Sequence, residues 1–524
     1  MVSYIGYHHK RRCNICRSMH WRWLLLFGCL VVPIVLACLY VKQLPWIPQL
    51  LGSNPHSTSG HIQTRMFLEP PATAIDVPPN ANHFIYGEDG DLEPIDALII
   101  SDSVVSSIKK NQSLHHLETK REAHPVLANL PERYASVESI PVVRVKGVHC
   151  DGIIRGDSSA LAEAASFQNN SNYIPVQDSE YIKQTSSCEV FRTSRQYMSE
   201  PVSREEEEFP IAYSILMFRD VEQFERLFRA IYRPQNYYCV HVDLKSPVEV
   251  KSSVNSIVRC FHNVFLASKS VDVQWGTYSV LEPEFICMEN LWKYKKWKYF
   301  INLTGQEFPL KTNLDIVKIL KAFNGANNME GTVKRRNRER TSFIHYGHSL
   351  TTQRKASPPI PVTLSKGSVH ITASRAFVDY VLHDNRALRF RAWIKDTGIP
   401  DETFFSSLNH SPRLGVPGAY LGEPETDSAQ YPFITRFKNW GVYPFNWPCY
   451  GHRVRMVCIF GIRDLKLLSE RPELFANKFY LSFEPLTLSC LEELHYNRTR
   501  EEILGTRKFD VAPYAMFDFV KHHV

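Results

Sequence analysis

An α/β domain built on a parallel sheet and tethered to a membrane is predicted by three features of this 524-residue sequence. An uncharged apolar run lies near the N-terminus, strand and helix periods alternate four times over about 115 residues from Phe209, and an even set of cysteines follows the apolar run. With 44% hydrophobic and 22% charged residues, most of the chain can bury a core, and its length suits about two to three domains of ordinary size.

The strand and helix periods are read in order. Phe209–Phe218 (FPIAYSILMF) is a continuous apolar run, as expected of a strand covered on both faces. Val221–Tyr232 follows with Phe224, Leu227, Phe228 and Ile231 on one helical face. Tyr237–Val242 is a second strand, Pro247–Cys260 a helix, Val264–Ala267 a third short strand and Ser279–Tyr294 a helix. Tyr299–Leu303 is strand again, and Asn313–Phe323 is the last helix of the series. Such alternation gives a parallel sheet with crossover helices, a Rossmann-like layer whose ligands gather at the carboxyl ends of the strands. No glycine-rich dinucleotide or P-loop motif follows any of these strands, so those two readings lack support.

Trp23–Val41 is nineteen residues long and carries no charge. About 20 apolar residues cross a bilayer core, which is longer than the h-region of a cleaved signal peptide. Trp21 and Trp23 stand at one end and Tyr40 at the other, and Lys10, Arg11, Arg12, Arg17 and Arg22 all precede the run. The positive-inside bias then keeps the N-terminus cytosolic and sends residues 42–524 across the membrane. The net charge of +7 comes largely from those five; past Arg22, 56 basic residues face 54 acidic ones. A nucleic-acid binder carries its basic surplus on the folded domain, so that class is set aside.

Of twelve cysteines, eight fall on the lumenal side: Cys150, Cys188, Cys239, Cys260, Cys287, Cys449, Cys458 and Cys490. An even number in an oxidising compartment implies disulfides, in a pairing the count leaves open. Cys13-x-x-Cys16 beside His8, His9 and His20 is a single pair without a second and is read as two unrelated thiols; no metal site is assigned. Residues 42–145 lack a sustained period and carry proline-rich punctuation, as a stem does. Sequons at Asn111, Asn169 and Asn497 are candidate glycan acceptors, whereas Asn302 ends a buried strand and is expected to stay unmodified. The expected organisation is therefore a cytosolic tail (1–22), a signal anchor (23–41), a stem (42–145), an N-terminal part of the lumenal domain (146–208), a catalytic domain (209–495) and a C-terminal tail (496–524).

Longer strings carry a resemblance. FPIAYSI (Phe209–Ile215), FRAIYRPQNYYCVHVDLKS (Phe228–Ser246), KYFINLTGQEFPLKTN (Lys298–Asn313), VRMVCIFG (Val454–Gly461) and LFANKF (Leu474–Phe479) closely resemble, in the same order, the core 2/I-branching β1,6-N-acetylglucosaminyltransferase family. The resemblance runs from about Cys150 to Glu493. It implies a GT-A-like glycosyltransferase domain on a type II anchor, in the Golgi membrane, with a UDP-sugar donor, an O-glycan acceptor on glycoproteins and no metal cofactor. A homodimer is among the assembly states this leaves open.

The sequence agrees on the metal, since its one Asp-x-Asp, Asp89-Gly90-Asp91, lies in the stem. Cations must then neutralise the departing diphosphate, and the resemblance puts Arg455 and Lys478 in that role. It puts Asp243 near the uridine and ribose and Glu402, in DETFF, as the base that takes the proton of the attacking hydroxyl. Asp401 is expected only to complement the start of a helix. On the acceptor side the resemblance implies Glu330, Arg338, Arg340 and Trp440, with Tyr443 substituting for a family tyrosine whose place is taken by Val442. It also implies the pairs Cys150–Cys490, Cys188–Cys260, Cys239–Cys287 and Cys449–Cys458. Thr304 stands where the family has a free cysteine, and Gln274–Phe285 departs from the family's segment near the donor pocket. UDP-N-acetylglucosamine or another UDP-sugar thus fits as donor, so a glucosyl- or xylosyltransferase is the rival enzyme. A silent lumenal binding protein is the rival of another class; intact Glu402, Arg455 and Lys478 argue against it.

Overall fold

The computed structural model describes residues 142–170, 173–334, 338–426, 432–441 and 447–524. The Trp23–Val41 segment, the stem up to residue 141, Asn111 and Tyr443 lie outside them. Among the described residues no helix is long and apolar enough to cross a membrane.

The centre is a six-stranded sheet. Strands β1 (Ile211–Met217), β2 (Tyr237–Val242), β3 (Val264–Leu266) and β4 (Tyr299–Thr304) are parallel, in the order β3-β2-β1-β4. Helices α1 (Val221–Ile231), α2 (Val248–Val258) and α3 (Glu282–Trp292) make the crossovers, and α4 (Asn313–Phe323) follows β4. The expected series is found with its ends moved by a few residues, apart from a 3-10 turn that opens the third helix at Tyr278–Val280. The sheet is mixed, however, because two short strands beyond β4 pair antiparallel. These are β6 (Asn328–Met329) and β9 (Ile371–Ser374), and between β4 and β6 in the chain lies β5 (Glu307–Pro309).

Alternation along β1 explains its unbroken apolar run. Ile211, Tyr213, Ile215 and Met217 enter one core with α1, α2 and α4, while Ala212 enters a second core with α3 on the opposite face. Ser214 also faces α3, where its hydroxyl donates to the buried Glu284 at 2.8 Å, and Asn302 donates to the same carboxyl at 3.0 Å. Burial pushes Glu284 up to about 7. The Cys239–Cys287 disulfide ties β2 to α3.

Two smaller sheets complete the site's support. β10 (Arg436–Phe437), β13 (Phe475–Asn477) and β5 form a three-stranded sheet, and β11 (His452–Val454) with β12 (Val457–Ile459) forms a hairpin. A second hairpin, β7 (Phe343–Tyr346) and β8 (Ser349–Arg354), is largely exposed. The other disulfides are Cys150–Cys490, Cys188–Cys260 and Cys449–Cys458, so all four join the partners that the resemblance implies.

Two expectations are corrected. The boundary at 495 falls inside the helix Pro485–Ile503, and the segment after it is no tail: Phe519 is buried, and the backbone of Val524 pairs with Gly418 and Ala419. The Asn497 acceptor is half-buried with its side-chain amide already engaged. Its amide donates to the Val143 carbonyl at 2.9 Å and its oxygen accepts from the Val143 amide at 3.0 Å, within that same helix. Asn169 is exposed near the end of the helix Ser158–Asn170.

Candidate active site

The strand order reverses between β1 and β4, and in open α/β sheets the ligand crevice lies at the carboxyl ends flanking such a point. Beyond the end of β4, the Gly305 amide donates to Leu216, and the chain turns directly into β5. Glu307, at the start of β5, is completely buried. Its carboxylate accepts from Thr304 and from Asn477, each at 3.1 Å, pairs with Arg436 at 3.1 Å and lies 3.4 Å from His370. Thr304 thus uses the family's cysteine position to hold this acid.

Two loops beyond the small sheet carry cations. Arg455 and Met456 are the two-residue turn of the β11–β12 hairpin, with φ of +48° and +70°. Two-residue hairpin turns with positive φ at both positions favour Asn-Gly, so neither residue is there for its backbone preference. The Cys449–Cys458 bond closes the base of the hairpin, and the Asp464 carboxylate accepts from the amides of Tyr450, Gly451 and Gly461. Lys478 directly follows β13. Its carbonyl accepts from Phe460, and the next amide, of Phe479, donates to Gln306, so it is pinned from both sides. Burial and then Arg455 hold the Lys478 ammonium below the usual lysine range, with Glu307 acting against them. Neither Arg455 nor Lys478 makes a side-chain hydrogen bond or an ion pair among the described residues.

Glu402 ends the 3-10 turn Pro400–Glu402. The turn is entered through Ile399 at φ +47°, a left-handed conformation that costs a β-branched residue on the order of 1–3 kcal/mol. Its neighbours hold it there: the Ile399 amide donates to Gly276 at 2.9 Å, and that of Gly398 to Arg340 at 3.0 Å. The Glu402 Oε2 lies 2.6 Å from Arg340 and 3.4 Å from Lys366. Next to it, Asp401 differs from expectation. Its Oδ1 is buried with no hydrogen-bond partner among the described residues, and burial together with the Glu402 charge pushes the carboxyl up to about 7. That is not the environment of a solvated acid at the start of a helix, and the six-residue helix that follows begins only at Phe404.

Glu330 follows β6 and reaches the same neighbourhood through Gly367. A Cβ on Gly367 would lie 2.1 Å from the Glu330 carbonyl, and the Gly367 amide donates to the Glu402 carbonyl at 2.7 Å. Arg340 therefore joins Glu402 and the Glu330 backbone lies against Gly367, whereas Arg338 is exposed and its side chain meets neither acid. Trp440 is 45% exposed, with Lys438 5.9 Å from its ring. Asp243, at the end of β2, already serves its own turn: it accepts from the Lys245 amide at 3.0 Å and pairs with the Lys245 ammonium at 2.6 Å. Among the described residues no group of three or more His, Cys, Asp or Glu gathers to hold a metal ion.

Glu307, Arg436, Lys438, Lys366 and Gly367 were not singled out from sequence. Glu307 lies within the Lys298–Asn313 string, but its role, like that of Arg436, depends on partners distant in the chain.

The family model described as "Branch: Core-2/I-Branching enzyme" matches residues 211–469. The chain is 37% identical over 364 residues to the Homo sapiens "Beta-1,3-galactosyl-O-glycosyl-glycoprotein beta-1,6-N-acetylglucosaminyltransferase 3", covering 66% of this chain and 82% of that protein. It is also 37% identical over 379 residues to the correspondingly named enzyme 4 of Mus musculus, covering 69% and 82%. A Bovine herpesvirus 4 protein of the same name, without a number, is 36% identical over 363 residues, covering 66% and 82%.

Proposed function

This chain belongs to the core-2/I-branching enzyme family and is a glycosyltransferase, and from that premise we propose that it transfers N-acetylglucosamine from a UDP-sugar to the 6-hydroxyl of an O-glycan, with inversion and without a metal ion. Glu402 takes the proton of the acceptor hydroxyl as its oxygen bonds to the anomeric carbon. The bond from that carbon to the diphosphate breaks on the opposite face, and the electron pair leaves with UDP. Arg455 and Lys478 meet the charge that develops there, the part a divalent cation plays in other enzymes. Glu330, Arg340, Arg338, Trp440 and Tyr443 serve the acceptor, and Asp243 the nucleoside end. Trp23–Val41 is the signal anchor that holds the domain on the lumenal side of the Golgi membrane.

The observation that carries this reading is the division of charge. Two cations without an ion pair among the described residues stand beyond the small sheet, and a carboxylate held by Arg340 stands on the Ile399–Glu402 loop. Preoriented charges of this kind cost no rearrangement when the reaction begins. The test is transfer by the full-length protein from UDP-N-acetylglucosamine, UDP-glucose and UDP-xylose to a Galβ1-3GalNAc acceptor, with and without EDTA. A β1,6-linked N-acetylglucosamine product that persists in EDTA is expected. Transfer of another sugar alone reassigns the donor, and activity lost in EDTA but restored by Mn²⁺ overturns the metal-free mechanism.

A further inference from the structure

Arg436, Lys438, Phe475, Asn477 and Glu307 occupy one face of the small sheet. Parallel pairing sets Arg436 opposite Phe475 and Phe437 opposite Ala476, and antiparallel pairing sets Asn477 opposite Glu307. Lys438, one residue past β10, continues the row through Asn477 to Glu307, since side chains at matched register share a face. Glu307 is already committed: one oxygen accepts from Thr304 and Asn477, and the other pairs with Arg436. Lys438 is half-buried, yet its ammonium makes no hydrogen bond or ion pair among the described residues.

The register sets Lys438 beside Asn477, which directly precedes Lys478, and its ammonium lies 5.9 Å from the Trp440 ring. Burial lowers the proton affinity of Lys438, Glu307 and Glu330 oppose that effect, and Arg436 and Lys478 add to it. Asp401 and His370 in turn feel the Lys438 charge. Lys438 thus feels charges from both parts of the site, Lys478 on the diphosphate side and Glu330 and Asp401 on the side of the base. A half-buried ammonium with no hydrogen bond or ion pair among the described residues loses part of its hydration, and an anionic substrate group offsets that loss.

Resting on the UDP-sugar reading above, we propose that Lys438 is a further catalytic residue, whose ammonium donates a hydrogen bond to a phosphate oxygen of the donor. As the acceptor oxygen bonds to the anomeric carbon, the carbon–oxygen bond to the diphosphate breaks and its electron pair stays on that oxygen. The hydroxyl proton goes to Glu402, and Lys438 keeps its own. The leaving charge then develops among three cations: Arg455, Lys478 and Lys438.

The experiment compares the full-length protein with Lys438→Met and Lys438→Arg in steady-state transfer, UDP titration and thermal melting. Losing one preoriented donor to a developing negative charge typically lowers kcat by about 10²–10³-fold, so Lys438→Met is expected to fall in that range. Its acceptor KM stays near that of the native protein, and Lys438→Arg, which keeps the charge, recovers most of the loss. A kcat for Lys438→Met within about threefold of native, or a loss confined to the acceptor KM, overturns the proposal. Equal losses in both variants also overturn it, because a packing role is indifferent to the charge. If Lys438→Met does not fold, Lys438→Gln takes its place under the same criteria. Absence of turnover by the unaltered protein refutes the transferase reading itself. UDP titration then decides Lys438 alone: affinity lost in Lys438→Met and kept in Lys438→Arg supports the contact, and equal affinity in all three overturns it.

Discussion

The amide of Gly367 donates to the carbonyl of Glu402 at 2.7 Å, from a backbone position so close to Glu330 that a Cβ would come within 2.1 Å of its carbonyl. One glycine therefore sets the spacing between the expected base and an expected acceptor-binding residue.

Gly367→Ala should cost both stability and rate. The added carbon would also lie 2.9 Å from the Ser406 hydroxyl, so the backbone must move, at about 1–3 kcal/mol for an overpacked site. A displacement of about 1 Å at a reacting group can lower turnover on the order of 10²-fold. Melting and kcat measured together check this; a variant equal to native in both refutes the spacing role.

Glu402→Gln is expected to lose about 10²–10⁴-fold in turnover while binding UDP almost as before, because the amide keeps the size and loses the basicity. Arg455→Ala and Lys478→Ala should weaken UDP binding as well as turnover, since they meet the diphosphate in ground and transition states alike. Calorimetry with UDP and initial rates separate the two patterns. Near-native rates for Glu402→Gln would move the base elsewhere.

Asp401→Asn should change how stability depends on pH. The carboxyl is raised to about 7 in the folded chain from an ordinary value of 3.8, so the folded state holds the proton more tightly than the unfolded one. Its contribution is fully present below about pH 4 and is lost as pH rises through about 7. An asparagine has no proton to lose, so the melting temperature of the variant relative to native should rise from pH 5 to pH 8. A difference that stays flat across this range would show that the carboxyl titrates elsewhere.

Met456→Gly should stabilise the hairpin. Met456 is 60% exposed at φ +70°, so glycine relieves the left-handed strain and sacrifices little packing. A gain of up to about 1 kcal/mol in thermal unfolding is expected, with UDP affinity near native because Arg455 keeps its place. A lower melting temperature would show that the methionine side chain, not the turn, matters there.

The main strands and helices from Ile211 to Phe323 are legible because their apolar residues recur with a strand or helix period, whereas the three-residue β5 within that stretch is not. The two residues of β6 and the two of β10 are too short to show one, and both exist only through partners far along the chain. The same reason divides the site. Arg455 and Lys478 stand inside strings long enough to resemble a family and Glu402 in the DETFF segment; Glu307 lies in such a string too, but its role comes from Asn477, 170 residues away. Asp401 does stand in the first turn of a short helix, but the burial of one of its oxygens has no mark in the sequence.

The Cys150–Cys490 bond also decides where the domain would feel a pull on the chain that precedes it. Tension entering at Val142 meets the hydrogen-bonded pair of Val143 with Asn497, and then the covalent link at Cys150. Both attachments end on the helix Pro485–Ile503, so the load passes to that helix before it reaches β1. A pull on the preceding chain would then act on a handle apart from the strands of the central sheet.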